Sequence, residues 1–304
     1  MSSPITTGSF AKSLWPGINA WYGKAYAEYP TEWDKLFDKN TSRRNFEEDV
    51  GVTSFGLAVQ KAEGSPVSYD SERQGFVTRY THVVYALGFM ITREIMDDDL
   101  YDVVAPRRAQ GLAFSMRQTK EIVGHNVYNR AFNASYTGGD GVSLLNAAHP
   151  NVAGGTQSNM LATASDLSEA SLEQACIDIQ GLRNDRGLLI SLKPQKLVIH
   201  YSNEFEAYRI LKAVGRTGTD LNDPNAIKEM GMFPGGVFVS HYLTDPDAWF
   251  IRTNAPHGMK YFERRGDEFT TDNDFDTENA KFKATARYSF GWTDWRGLFG
   301  SAGA

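Results

Sequence analysis

Residues 105–133 read APRRAQGLAFSMRQTKEIVGHNVYNRAFN and carry the longest helical pattern in the chain. Apolar residues recur there every three or four positions, which is the spacing of one helical face. They are Ala109, Leu112, Ala113, Met116, Val123, Val127 and Ala131. Pro106 suits a first helical position, because its missing N–H would have no partner there. Such a helix spans roughly 40 Å at ~1.5 Å per residue, so we expect an extended element to lie along it.

The charged residues of this helix lie mostly off the apolar stripe, and basic and acidic side chains are interleaved among them. This pattern favours a solvated helix face over a surface that binds nucleic acid. The residues concerned are Arg107, Arg108, Arg117, Lys120, Glu121 and Arg130.

Size and composition limit the class of protein. The chain has 304 residues, a formal net charge of −6 and 41% hydrophobic residues, which is enough for a sizeable core in one or two domains. The mild acidity argues against a protein whose main task is to bind nucleic-acid phosphates, although not against one that surrounds nucleic acid. The single cysteine, Cys176, excludes an intrachain disulfide framework and a Cys-rich zinc site, and we interpret it as a small core residue. With no membrane-length apolar run and no signal pattern, we expect a protein of the reducing cytosol without a membrane partner.

The first 91 residues predict elements that need a partner surface. Residues 1–50 are rich in aromatics, in which disordered tails are poor, so they predict an arm that packs on its own chain or on a neighbour. A short helix is predicted within 31–40, and another from 93 to 98. Residues 55–59 and 76–85 are predicted to form a long hairpin, which is marginal in water when isolated.

The middle of the chain predicts a mixed α+β domain with short connections. A second amphipathic helix is predicted over 166–184, and a third ends near 214. A buried strand is predicted over 195–200, and the strands 237–242 and 249–253 are predicted to pair with each other.

From residue 259 the chain alternates apolar and polar side chains on both sides of an acidic turn. This period of two predicts a two-stranded ribbon over 259–271 and 282–290, suited to lie along the long helix. The turn resembles the start of a calcium loop, but Thr277 stands where that loop needs glycine and Lys283 where it needs its closing glutamate. We therefore predict a solvated turn and no metal site. Its aspartates are Asp272, Asp274 and Asp276.

The sequence carries no catalytic signature of quality. It lacks a phosphate-binding Gly-Lys-Ser/Thr loop, a dinucleotide motif, a nucleophile elbow and a His-Glu-x-x-His helix. We therefore predict no catalytic residue and no cofactor. A hydrolase using His149 with Asp140 is the alternative, since His149 lies in a Gly-rich loop, although no nucleophile is near it in sequence.

Four stretches, taken in order, are informative together. They are residues 63–75 with Tyr80-Thr81-His82, residues 91–101, Gly139-Asp140-Gly141 with His149-Pro150, and residues 286–297. In this order they resemble the major capsid proteins of tailed bacteriophages, particularly the Mu-like major head subunit group. The resemblance covers essentially the whole chain.

The resemblance implies the tailed-phage major capsid fold, of class α+β. The implied parts are an N-terminal arm at 1–50, an extended loop at 51–91, a peripheral domain at 92–165 with the long spine helix, an axial domain at 166–254, a peripheral ribbon at 255–290 and a tail at 291–304 that returns to the axial domain.

The implied function is that of a major capsid protein of the virion. Its copies would assemble in the host cytoplasm into hexamers and pentamers, which form an icosahedral shell around double-stranded DNA. The implied partners are other copies of the chain, a portal, decoration proteins and, through non-specific contact, the packaged DNA. Because arm sequence begins close to Met1, we expect a separate scaffold protein. A cellular encapsulating shell of the same fold is an alternative.

Intersubunit contacts are expected in three places. The arm supplies Trp15, Trp21 and Trp33. The extended loop, which would lie over a neighbour, supplies Lys61, Glu63, Tyr69 and Arg73. The peripheral ribbon supplies Arg264 and Arg265 with Asp272, Asp274 and Asp276, whose turn the resemblance places at three-fold junctions.

Overall fold

The computed structural model describes residues 22–28, 30–97, 101–215, 224–274 and 278–304. The chain divides into two compact units. The first unit comprises the described parts of residues 1–45, 81–124 and 261–289, and the second those of residues 46–80, 125–260 and 290–304.

Groups of strands and groups of helices follow one another along the chain. The helices are α1 (22–28), α2 (Arg93–Asp97), α3 (Tyr101–Asn129), α4 (Glu169–Gln180), α5 (Glu204–Lys212) and α6 (Ala226–Glu229). The strands are β1 (Asp38–Thr41), β2 (Phe46–Val52), β3 (Gln74–Thr81), β4 (Val83–Ile91), β5 (His149–Pro150), β6 (Thr156–Gln157), β7 (Pro194–His200), β8 (Val237–Ser240), β9 (Trp249–Thr253), β10 (Met259–Asn273), β11 (Ala280–Trp292) and β12 (Leu298–Ser301). Single 3₁₀ turns lie at Trp33–Lys35, Tyr201–Asn203 and Trp295–Gly297.

A four-stranded sheet forms the centre of the first unit, in the order β1-β10-β11-β4. β11 and β4 pair antiparallel, from Ala280 opposite Ile91 to Tyr288 opposite Val83. Alternate residues along the first half of β11 are buried, as a period of two requires. The core under this sheet joins it to α3, so the predicted ribbon along the long helix is confirmed. The core residues are Ile91, Ala105, Ala109, Ala280 and Phe282.

The long helix exists but is placed four residues earlier than predicted, since α3 spans Tyr101–Asn129. The prediction that Pro106 occupies the first helical position is wrong, because it is the sixth residue of α3. The apolar period continues beyond Asn129 because a tight turn, in which Ala131 N donates to Tyr128 O at 3.0 Å, keeps Ala131 buried. No helix in the described parts of the chain is long and apolar enough to cross a membrane.

The second unit is built on a sheet with the order β12-β9-β7-β8. β7 pairs parallel with β8 and antiparallel with β9. The prediction that β8 and β9 pair with each other is therefore wrong. The physical reason is that β7 is buried on both faces from Leu197 to His200 and takes the central position, which needs a neighbour on each side.

Helix α4 covers one face of this sheet and confirms the predicted second helix with shorter ends. Ser168 and Ser171 form a capping box at its start, in which each side chain bonds the other residue's backbone N–H. Cys176 lies in the core under this helix, as predicted, and burial raises the pKa of its thiol to about 11. The thiol is therefore an apolar packing group at neutral pH.

A two-stranded ribbon of β2 and β3 belongs to the second unit. It is closed by residues 53–73, which we call the tip loop. Thr53 N donates to Arg73 O at 2.9 Å, and Arg73 N donates to Thr53 Oγ1 at 2.9 Å. A hairpin here is confirmed, but its predicted strands are wrong. Residues 55–59 form no strand, and residues 76–85 divide between β3 and β4 at His82. The ring of His82 is buried, with Nδ1 2.9 Å from Ser289 Oγ and Nε2 3.0 Å from Ser42 Oγ.

Candidate assembly surfaces

The aromatic arm is bound to α3 of its own chain. Glu121 accepts the backbone N–H groups of Glu32 and Trp33, each at 2.9 Å, and so satisfies the start of the Trp33–Lys35 turn. Arg117 Nη1 donates to the carbonyl of Tyr26 in α1. Trp33, which was expected to contact a neighbouring subunit, is instead buried against its own chain. Trp15 and Trp21 lie outside the described residues.

Lys120 is the centre of this contact. Its Nζ lies 3.5 Å from Glu263 Oε2 and 3.8 Å from Asp267 Oδ2, both on β10. It also lies about 5 Å from the ring centroids of Trp33, at 4.8 Å, and Tyr261, at 5.1 Å. Such an ammonium over aromatic faces is attracted by the ring quadrupoles, and more strongly when water is excluded. One buried cation therefore holds the helix, the arm and the sheet together.

The prediction of a solvated charged face on the long helix is wrong for its central residues. Arg117, Lys120 and Glu121 are no more than 5% exposed. They are buried because the arm covers them, and a sequence read one helix at a time shows no such cover. Desolvation raises the pKa of Glu121, although the arm amides that it accepts oppose this shift. Arg107 and Arg108 are exposed, as predicted.

The tip loop leaves large apolar side chains in water at alternate positions. Leu57 is 81% exposed and Tyr69 is 93% exposed. Soluble monomers rarely expose a large contiguous apolar surface, so such a surface indicates a missing partner. The predicted contact residues of this loop, Lys61, Glu63, Tyr69 and Arg73, are all exposed. The large apolar residues exposed here are Phe55, Leu57, Val59, Val67 and Tyr69.

The predicted contact residues of the ribbon differ in exposure and in pairing within the first unit. Arg264 and Asp272 are exposed, whereas Arg265 is half-buried and donates to Thr285 Oγ1 at 3.2 Å. Asp274 is paired with Lys281 on β11. Asp276 lies outside the described residues. Among the residues that the structure describes, no group of His, Cys, Asp and Glu is arranged to hold a metal ion.

An aromatic stripe on the second unit was missed by the sequence analysis. Tyr201, Phe205 and Tyr208 are each more than half exposed. Their spacing of four and then three places them on one side of α5 and its preceding turn, while Ala207 and Ile210 face the core. Helix α5 therefore has two apolar sides. One is buried in the core, and the other leaves Phe205 and Tyr208 exposed, next to a Tyr201 ring that packs on His200 and His241. The sequence did contain the sign of this surface, because the residues of both apolar sides recur at helical spacing.

A short chain of polar groups fixes β2 within the second unit. Asp49 pairs with Lys260 and accepts the hydroxyl of Thr293 at 2.7 Å, and that hydroxyl lies 2.7 Å from Tyr80 Oη. Burial alone would raise the pKa of Asp49, but the Lys260 ammonium and the Thr293 hydroxyl outweigh it and hold the pKa below its ordinary value. The ribbon that carries the tip loop is thus anchored by charge.

The structure does bring His149 and Asp140 together, with Nδ1 2.6 Å from Oδ2, but it leaves no room for a substrate. His149 is fully buried and stacks on Trp295, with the centroids 4.3 Å apart. Its Nε2 lies 3.1 Å from Asn159 Oδ1. Asn159 Nδ2 lies 2.7–3.1 Å from three backbone carbonyl oxygens, among which its two hydrogens are shared, so Oδ1 is the atom that accepts. Both ring nitrogens thus face acceptors inside the core, which makes His149 a structural group.

Comparison with known proteins agrees with a shell subunit. A family model described as phage capsid protein matches residues 75–300. The chain is similar to the virus-like particle protein of Pyrococcus furiosus, with a TM-score of 0.54, 10% identity, and 94% of this chain and 98% of that chain covered. It is similar to the procapsid protein of bacteriophage JBD30, with a TM-score of 0.55, 13% identity, and 98% and 76% covered.

A third likeness is to the mature capsid protein of bacteriophage PhiM1, with a TM-score of 0.55, 13% identity, and 90% of this chain and 86% of that chain covered. At 10–13% identity these likenesses show the fold, and they confirm the predicted fold class. No match was found among curated proteins. The narrower resemblance to the Mu-like group stays a prediction.

Proposed function

The chain belongs to the phage capsid protein family, and from that premise we propose how this major capsid protein builds the virion shell. Its copies form hexamers and pentamers of an icosahedral shell around double-stranded DNA. A separate scaffold protein and a portal direct assembly in the host cytoplasm, decoration proteins bind the finished shell, and its contacts with DNA are non-specific. The protein has a structural role and no catalytic one.

The uncovered apolar side of the tip loop carries this proposal. Phe55, Leu57 and Val59 follow one another at every second position, all more than half exposed. Burying such side chains stabilises an assembly by about 1.5–3 kcal/mol each. We assign their cover to a neighbouring copy of the chain. The exposed Lys61 and Glu63 then lie at the rim of that contact.

The parts of the chain divide between roles. Residues 1–50 act as the arm and 51–91 as the extended loop. Residues 92–165 and 255–290 form the peripheral domain, whose acidic turn meets its copies at three-fold junctions. Residues 166–254, with the tail 291–304, form the axial domain at capsomer centres. The aromatic stripe of Tyr201, Phe205 and Tyr208 is the axial contact that we add to this division.

Deletion of the tip loop tests the proposal. Residues 54–72 are replaced by a short Gly-Ser turn, which keeps the Thr53–Arg73 closure and both ribbon strands. The variant should give a folded subunit, with circular dichroism and unfolding cooperativity like those of the intact chain, but no closed shells by electron microscopy.

The matched control replaces Ser65 and Ser68, exposed polar residues of the same loop, by alanine. This control should assemble like the intact chain. Closed shells from the deleted chain would contradict the proposal, as would an intact chain that stays monomeric at high concentration with its scaffold present.

The two alternatives are not favoured. The burial of His149 removes the access that a hydrolase would need. A cellular encapsulating shell shares the fold, but the family whose model matches is that of phage capsid proteins.

A further inference from the structure

The tip loop is tied to its own subunit by a carboxylate, Asp70. Asp70 Oδ2 accepts Gly56 N at 2.8 Å and pairs with the guanidinium of Arg186, while Oδ1 accepts Ser71 N at 2.8 Å. Gly56 and Ser71 lie on the two opposite limbs of the loop. One side chain therefore draws the limbs together and fastens them to a residue far along the chain, within the same second unit.

Arg186 lies in a turn that several hydrogen bonds and an ion pair hold in place. Asn184 Oδ1 accepts the backbone N–H groups of both Arg186 and Leu188, each at 2.9 Å. The next residue, Asp185, pairs at 3.0 Å with Arg296, which is itself mostly buried. The guanidinium is thus presented from a rigid turn at the edge of the second unit.

The loop has little else to hold it. Among the described residues, no second hydrogen bond or ion pair joins residues 54–72 to the rest of the chain. Its apolar side chains remain in water, as shown above for Leu57 and Tyr69. The ion pair is itself partly exposed, with 41% of the Asp70 side chain and 25% of the Arg186 side chain accessible. Such pairs are weak and are screened by salt, so they open readily.

We propose that the Asp70–Arg186 contact is a latch that keeps the tip loop on its own subunit and opens when the loop moves onto a neighbouring copy. This inference rests on the proposed function, because it supplies the closed state from which the loop leaves. The Arg186 guanidinium and the amides of Gly56 and Ser71 hold the pKa of Asp70 at about 2. The latch is therefore charged at physiological pH and is weakened by ionic strength.

A substitution at Arg186 tests the latch and leaves the residues of the tip loop unchanged. Arg186→Gln removes the charge but leaves the Asp70 bonds to Gly56 and Ser71. In the unassembled subunit, protease cleavage within 54–72 should become roughly two- to fivefold faster, the range that an exposed ion pair supports. Shell formation, followed by light scattering, should begin sooner. The matched control is Arg183→Gln, since among the described residues Arg183 Nη1 donates to Gly187 O and not to the tip loop.

A reducible tether tests the closed state directly. Cysteines replace Asp70 and Arg186 and are joined by a short disulfide-containing bis-maleimide, while Cys176 is protected by burial. The tethered subunit should remain unassembled until a reductant cleaves the linker, and singly substituted chains treated alike should assemble. Assembly of the tethered subunit at the untethered rate would overturn the latch, as would cleavage of Arg186→Gln at the rate of the control. An untethered intact chain that forms no shell would count against the proposed function instead, and the cleavage arm would still decide the latch.

Discussion

Replacing His149 tests whether its contacts are structural, because the residue joins several parts of the second unit. His149→Ala removes the partner of Asp140 and the ring that stacks on Trp295. It also leaves Asn159 Oδ1 with one donor fewer. Solvent cannot replace these lost hydrogen bonds, since His149, Asn159 and the Asp140 side chain are nearly or fully buried.

The expected loss follows from the contacts. Removing the side chain that bonds a buried carboxylate costs about 3–5 kcal/mol, because the carboxylate is left without its partner. Loss of the aromatic stack adds about 0.5–1.5 kcal/mol. The free energy of unfolding of the second unit should therefore fall by about 4–6 kcal/mol, and its melting temperature by roughly 10 °C or more.

Asp140→Asn is the matched variant that separates the charge from the geometry. With a neutral amide at position 140, the imidazole can accept through Nδ1 and still donate from Nε2 to Asn159, so the loss should be only about 1–2 kcal/mol. His241→Ala, at an exposed histidine of the same unit, should change stability by less than about 0.5 kcal/mol. Calorimetry of unassembled subunits measures all three. A small loss for His149→Ala, equal to that of Asp140→Asn, would refute the buried-pair argument.

Two further predictions concern the groups that anchor the arm and the ribbon. Glu121→Leu leaves two arm amides without an acceptor and should lower the free energy of unfolding by about 2–5 kcal/mol, measured by denaturant titration; an unchanged midpoint would mean that the arm does not depend on Glu121. The pKa of Asp49 is lowered in the folded chain, so its stabilisation is present above the ordinary value of 3.8 and is lost as pH falls through the lower folded value. Asp49→Asn should therefore flatten the acid limb of stability against pH, and an acid limb as steep as that of the intact chain would contradict this.

Elements with a single strong period were predictable. The ribbon of β10 and β11, helix α4 and strand β7 each follow one hydrophobic pattern, and each is present in the structure. The ends of the elements and the pairing of the strands were less predictable. The turn after Asn129 keeps the apolar spacing while abandoning the helix. The separation of β8 from β9 depends on β7, a strand more than 30 residues earlier, and local sequence does not encode that choice.

The charged residues of α3 show a different limit. Arg117, Lys120 and Glu121 have the spacing of a solvated face, and by helix periodicity alone that interpretation was sound. Their burial depends on Tyr26 and Trp33, which lie about 90 residues earlier in the chain. A charge pattern on one helix predicts exposure only if nothing covers that face. The aromatic-rich arm was the available sign that something would.

The predicted strand at residues 55–59 failed in an instructive way. The alternation of Phe55, Leu57 and Val59 is a strand pattern, and the structure leaves these residues unpaired with their side chains in water. In a compact monomer such a conflict between local pattern and structure would be frustration. In the shell subunit that we propose it has a physical origin, because the surface that would complete the strand belongs to another copy. The same reasoning applies to the second apolar side of α5. Sequence signals that the lone chain does not satisfy therefore point to the interfaces of the assembled state.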